Sequence, residues 1–155
     1  MTLAEIRAQV RLMDTPVTAQ ADEAWGQLRE LGAEVVPYLV EAYPTFRKQQ
    51  GRVALVFHAI RFARVCEDAY RLGLAALNDK AAQVRYRACG LLAYAQRPEA
   101  LPALKALLSH PESRTVEDAK AAIDAIQRRN HHYFVDRNHT GRSFWRVNEG
   151  DGPAP

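Results

Sequence analysis

The sequence repeats itself, and that repetition limits its folding options more than any single motif does. A displacement of about 31 residues sets Leu77 on Leu108, Ala88 on Ala119, Leu91 on Ala122, Leu92 on Ile123 and Ala95 on Ile126. One of about 32 sets Val56 on Ala88, Ala59 on Leu91, Ile60 on Leu92, Phe62 on Tyr94 and Ala63 on Ala95. Every matched pair is small or apolar, so three helix pairs share one template. A unit this short cannot bury its apolar face alone and must stack on its neighbours.

Helical periodicity runs through the first 130 positions. Thr2 and Glu5 form a capping box, and Leu3, Ile6, Val10 and Met13 recur at helical spacing. Pro16 breaks that helix, and Ala21, Ala24, Trp25, Leu28 and Leu31 make a second stripe that Gly32 ends. Further helices are predicted over about 33–43, 47–63, 67–77, 83–95, 99–108 and 116–128. Beyond them, Tyr133-Phe134-Val135 and Phe144-Trp145-Arg146-Val147 flank a polar loop and predict a β-hairpin. The expected organisation is a helical domain over 1–130, a hairpin cap over 131–147 and a disordered tail over 148–155.

The stretch Ala76-Leu77-Asn78-Asp79, Val84-Arg85-Tyr86-Arg87-Ala88-Cys89-Gly90-Leu91-Leu92 and Pro98-Glu99-Ala100-Leu101-Pro102-Ala103-Leu104 resembles the short bacterial HEAT-like repeats also seen in phycobilisome lyases. The resemblance covers about residues 33–126. It implies an all-α, HEAT-like α-solenoid of about four helix pairs, with Asp79 in an inter-helix turn and Arg85 opening the next helix. The third pair departs from the pattern, with His110 for the aspartate and Val116 for the arginine. The N-terminal pair has Arg52-Val53 and no turn aspartate.

Composition narrows the setting. A chain of 155 residues, 48% apolar and 25% charged, has the proportions of one globular domain. Glu5, Arg7 and Arg11 interrupt the N-terminus, so no export signal is expected, and apolar runs such as Val53 to Phe57 fall far short of the roughly 20 residues a membrane span needs. A cytoplasmic location without a membrane partner is the expectation. The two cysteines, Cys66 and Cys89, form no CxxC pair, and Cys89 reads as packing within a helix. The net charge of +3 is uneven: 127–146 carries five arginines against Asp136, or +4, leaving 3 − 4 = −1 elsewhere. That local excess argues against a dedicated nucleic-acid module.

No constellation points to catalysis, and neither a cofactor nor a metal is expected. Asp79 and Arg85 read as scaffold. Asp136-x-Asn138-x-Thr140-Gly141 has the opening of a calcium loop, but Val147 stands where the bidentate carboxylate belongs. His131, His132 and His139 lack convergent carboxylates. Trp145, between Arg142 and Arg146, either caps the last helix pair or recognises a partner.

The expected function is therefore a non-enzymatic scaffold that binds a macromolecular partner on its concave helical surface. One alternative is an immunity protein occluding the active site of a bacterial toxin; another is a nucleic-acid-binding protein. Once Val84, Ala88, Leu91, Leu92 and Ala95 are assigned inward, Tyr86, Gly90, Ala93 and Arg97 fall opposite, with Ala54, His58, Arg61, Glu117, Ala121, Asp124 and Arg128 at the same phase. His58, Arg61, Tyr86, Arg97, Asp124, Arg128 and Trp145 are the expected partner-binding residues.

Overall fold

Apolar stripes at helical spacing become helices where their flanks supply caps and breaks. A computed structural model describes residues 1–152 of the chain and holds eight α-helices. These are α1 (Leu3–Arg11), α2 (Thr18–Gly26), α3 (Val36–Ala42), α4 (Gln49–Ala59), α5 (Glu67–Ala76), α6 (Ala82–Ala95), α7 (Leu101–Ala106) and α8 (Ser113–Gln127). The capping box at α1 is formed: Glu5 N donates to Thr2 Oγ1 at 3.1 Å, and Thr2 N donates to Glu5 Oε2 at 2.7 Å. Gly32 turns the chain at φ 58° ahead of α3, in the left-handed region that glycine enters most cheaply. No helix among the described residues is long and apolar enough to cross a membrane.

The helices stack in two rows. In one, α2, α4, α6 and α8 each touch the next; in the other, α1 touches α3 and α3 touches α5. Gly51 lets the chain that follows α1 pass close against α4, since a Cβ there would lie 2.9 Å from Met13 O and Asp14 Cα. The alignment by 31 residues is matched in burial at Ala88 with Ala119, Leu91 with Ala122 and Ala95 with Ile126, and a shift of 30 residues matches as well. Leu77 matches Leu107, and Leu92 matches Ala122, all buried, whereas the alignment pairs Leu77 with Leu108, which is 40% exposed. Alanine and leucine occupy both phases of these helices, so small and apolar matches tolerate a one-residue slip.

Polar groups mark the recurrence more sharply. Arg52 on α4 makes a bidentate pair with Asp79 in the turn before α6, at 2.9 and 3.2 Å, while Tyr43 OH donates to Asp79 at 2.6 Å. Arg85 on α6 repeats the move one pair later. It reaches Glu112 at 3.2 Å and Thr115 Oγ1 at 2.9 Å, while its Nη1 donates back to Asp79 O. Asp14, Asp79 and Glu112 also accept backbone N–H groups at the entries of α4, α6 and α8. Asp79 and Arg85 thus meet only through a backbone carbonyl, and Glu112, not His110, is the acid of the third turn.

The C-terminal β-hairpin expected over 131–147 is absent. Residues His131–Phe134 form a 3-10 turn and the chain then runs irregularly, with no strand among the described residues. The backbone groups a hairpin would pair are committed elsewhere. Asp136 takes Thr140 N and Gly141 N, while Trp145 N and O bond to the rings of His132 and His131. The expected disordered tail is also docked as far as Gly152, through Asn148 and Asp151; residues 153–155 of that tail lie outside the described residues. The open face of the expected solenoid is likewise not found, because this segment lies across it.

The side chains of Arg52 and Asp79 are 8% and 4% exposed, so removing one strands a buried charge. Asp79→Ala should therefore cost about 3–5 kcal/mol of unfolding free energy in a denaturant titration. A loss below ~1 kcal/mol, the scale of an exposed pair, would contradict the buried linkage.

Candidate functional site

Helix α6 leaves almost no side free. Every residue from Ala88 to Ala95 is buried, including Gly90 and Ala93 on the expected outer phase. What covers Gly90 is the segment 131–152. A Cβ on Gly90 would meet Phe134 at 3.2 Å and Trp145 at 3.3 Å, so only a hydrogen fits there without displacement. The Trp145 ring packs 5.6 Å from Phe134 and 6.0 Å from Tyr94, centroid to centroid.

Two adjacent histidines clasp the backbone of Trp145. Arg64 Nη2, a donor only, lies 3.2 Å from His131 Nδ1, so that nitrogen accepts and Nε2–H donates to Trp145 O at 2.8 Å. His132 Nδ1 accepts the Trp145 N–H at 2.9 Å. Arg64 also stacks 3.9 Å above the Tyr94 ring and donates to Tyr94 O. Asp151 accepts from Tyr94 OH, Val147 N and Asn148 N, and Asn148 Nδ2 donates to Arg61 O. Burial pushes the Asp151 carboxyl up, but these donors outweigh it and hold the group below the ordinary range.

Beside this strap a cleft of about 260 Å³ remains, lined by Phe57, His58, Ile60, Arg61, Trp145, Arg146 and Val147. A second, of about 200 Å³, adjoins it through Phe57 and His58 and is bounded by Thr18, Asp22, Gln50, Val53, Ala54 and Arg87, among others. Phe57, 46% exposed, is the ridge between them. His58 stacks on Trp25 at 4.1 Å and 10°. Burial, with the nearby Arg61 charge, pushes the imidazole down to about 4, so it is neutral at pH 7.

Of the expected binding residues, His58, Arg61 and Trp145 come together here. The others do not. Tyr86 is half-buried against Phe134 at 5.6 Å. Arg97 is engaged by Glu67 and Glu99 and lies over the Tyr70 ring. Asp124 pairs with Arg128 and His139, lining a separate cleft with Glu117, Lys120 and Arg137. Phe57 and Arg87 belong to the paired clefts although neither is among the expected binding residues, and Arg146, which flanks Trp145 in the sequence, joins them. An outward-phase phenylalanine after Val56 was the available signal.

The Asp136 carboxylate of the calcium-like stretch is used internally, since it accepts from Thr140 N, Thr140 Oγ1 and Gly141 N. Burial pushes the Cys89 thiol up to about 12, which leaves it protonated packing. Comparison with protein families and with curated proteins finds no match to this chain.

Truncation after Arg129 would remove Phe134 and Trp145 from the Gly90 seat. Losses of large aromatic groups cost about 3–5 kcal/mol each in cores, so the melting temperature should fall by several degrees. An unchanged melting curve would show that the strap covers nothing. A pH series adds a second check. His58 and His131 are both pushed down from their ordinary value, chiefly by burial, so the unfolded chain binds protons more readily than the folded one. The His58 contribution is complete above pH 6.5 and is lost as pH falls toward about 4, and that of His131 declines in the same direction. The melting temperature should decline across that window, and His58→Phe should flatten the decline.

Proposed function

We propose that the protein is a non-enzymatic binding module whose partner is another protein, docking at the paired clefts around Phe57. The observation that carries this is the combination of an exposed aromatic ridge with Arg61, Arg146 and the stacked Trp25–His58 pair at its flanks. Aromatic and arginine side chains supply most of the energy at protein interfaces, and they do so where neighbouring groups exclude water. The resemblance to HEAT-like repeats supports the same use, since stacked helix pairs serve chiefly to present surfaces. The engaged state of Arg97 and Arg128 moves the proposed site from the centre of the inner row toward α4.

Replacing Arg61 and Arg146 together by alanine tests this reading. Calorimetry with a partner captured from the native host should show affinity reduced at least about 30-fold, or ~2 kcal/mol, with the melting temperature unchanged. Unaltered affinity would remove the cleft as the docking site. Tyr86→Ala, by contrast, should lower the melting temperature because it uncovers Phe134.

A further inference from the structure

We propose that the segment received by this surface is acidic and extended, with carboxylates at alternate residues straddling Phe57. The inference rests on the docking site proposed above and adds the chemistry of what fills it. Three arginines surround the ridge. Arg61 and Arg146 line the first cleft with no acidic residue in its lining, and Arg87 lines the second together with Asp22. Among the described residues none of these arginines makes an ion pair, whereas Arg97 and Arg128 are matched by Glu67, Glu99 and Asp124.

Arg87 is the most specific of the three. Its guanidinium lies 4.7 Å over the Phe57 ring and 5.2 Å from that of Tyr86, and its Nε is buried without a hydrogen-bond partner. Stacking on two rings fixes the plane of the guanidinium, and a fixed fork of donors matches a carboxylate bidentately. The neighbouring clefts, about 260 and 200 Å³, each suit a side chain and meet at Phe57. An extended chain directs alternate side chains to the same face, so two acids separated by one residue reach both clefts while the chain crosses the ridge.

Single-stranded nucleic acid would also bring negative charge, but it is held by stacking bases on free ring faces. Each ring here already gives one side to a partner. Arg87 covers Phe57, Trp25 covers His58, and Trp145 is packed among Phe134, Tyr94 and His131. A carboxylate needs only the guanidinium edges.

The test uses the full chain and fluorescence anisotropy at about 50 mM salt, where screening is weak. The probes are a labelled peptide of alternating glutamate and valine, its glutamine counterpart, and a ten-nucleotide oligothymidylate. The glutamate peptide should bind saturably and the glutamine peptide about tenfold more weakly. Arg87→Gln and Arg61→Gln should each weaken the glutamate peptide about tenfold, the loss of one charge-assisted pair. Equal affinity for the two peptides, no saturable binding, or tighter binding of the oligothymidylate would each overturn the proposal. The last would assign the surface to nucleic acid. If the glutamate peptide fails while the Arg61 and Arg146 double variant still loses its native partner, the docking site stands and the acidic occupant falls. If the peptide binds with this arginine dependence while the native partner is unaffected, the acidic recognition stands and the docking assignment falls.

Discussion

The structure depends on covering α6 from every direction. Its residues from Ala88 to Ala95 are buried without interruption, so the helix has no solvent face in its second half. A helix apolar all round has to lie inside its domain, and it needs more partners than the single neighbour of a hairpin. Helices α4, α5 and α8 supply three sides. The fourth is closed by Phe134 and Trp145, seated on Gly90. The small residues at this seat are therefore a packing requirement, and the C-terminal segment is part of the core.

That closure sets which recesses stay open. In a plain stack of helix pairs the inner row would be one continuous surface. Here its centre is occupied by the strap, which is held by side-chain-to-backbone bonds rather than by strand pairing. The paired recesses lie toward α2 and α4, where Phe57 stands exposed between arginines. Electrostatics and shape thus change together across the inner row. Toward α8 the charges are matched within the fold, as in Asp124 with Arg128 and His139, and toward α4 they point into clefts.

Much of the helical order was legible in the sequence because each helix carries local signals: the Thr2–Glu5 box, the breaks at Pro16 and Gly32, and apolar residues at helical spacing. What escaped was tertiary. Gly90 and Ala93 fall outward by helical phase, but phase carries no information about residues forty or more positions later that return to cover Gly90. Two small apolar residues on a nominally wet face were a hint of that cover. The β-prone runs at 133–135 and 144–147 misled because β-propensity reports half-buried packing as much as strand pairing. The acids of the polar ladder were only partly visible. Asp79 stood out, whereas Glu112 and Asp14 act at positions where the repeat template has no acid.

Native-state hydrogen exchange at the backbone amides of Gly141, Trp145 and Asn148 tests the central claim most directly, because each donates to a side chain of the strap or its seat. If the strap is an integral cover of α6, these amides should exchange at least about 100-fold more slowly than in an unstructured chain, with the Trp145 amide approaching the protection of α6 itself. Exchange of all three at unprotected rates, while the α6 amides stay protected, would show that the inner face of α6 stands open and would contradict the account.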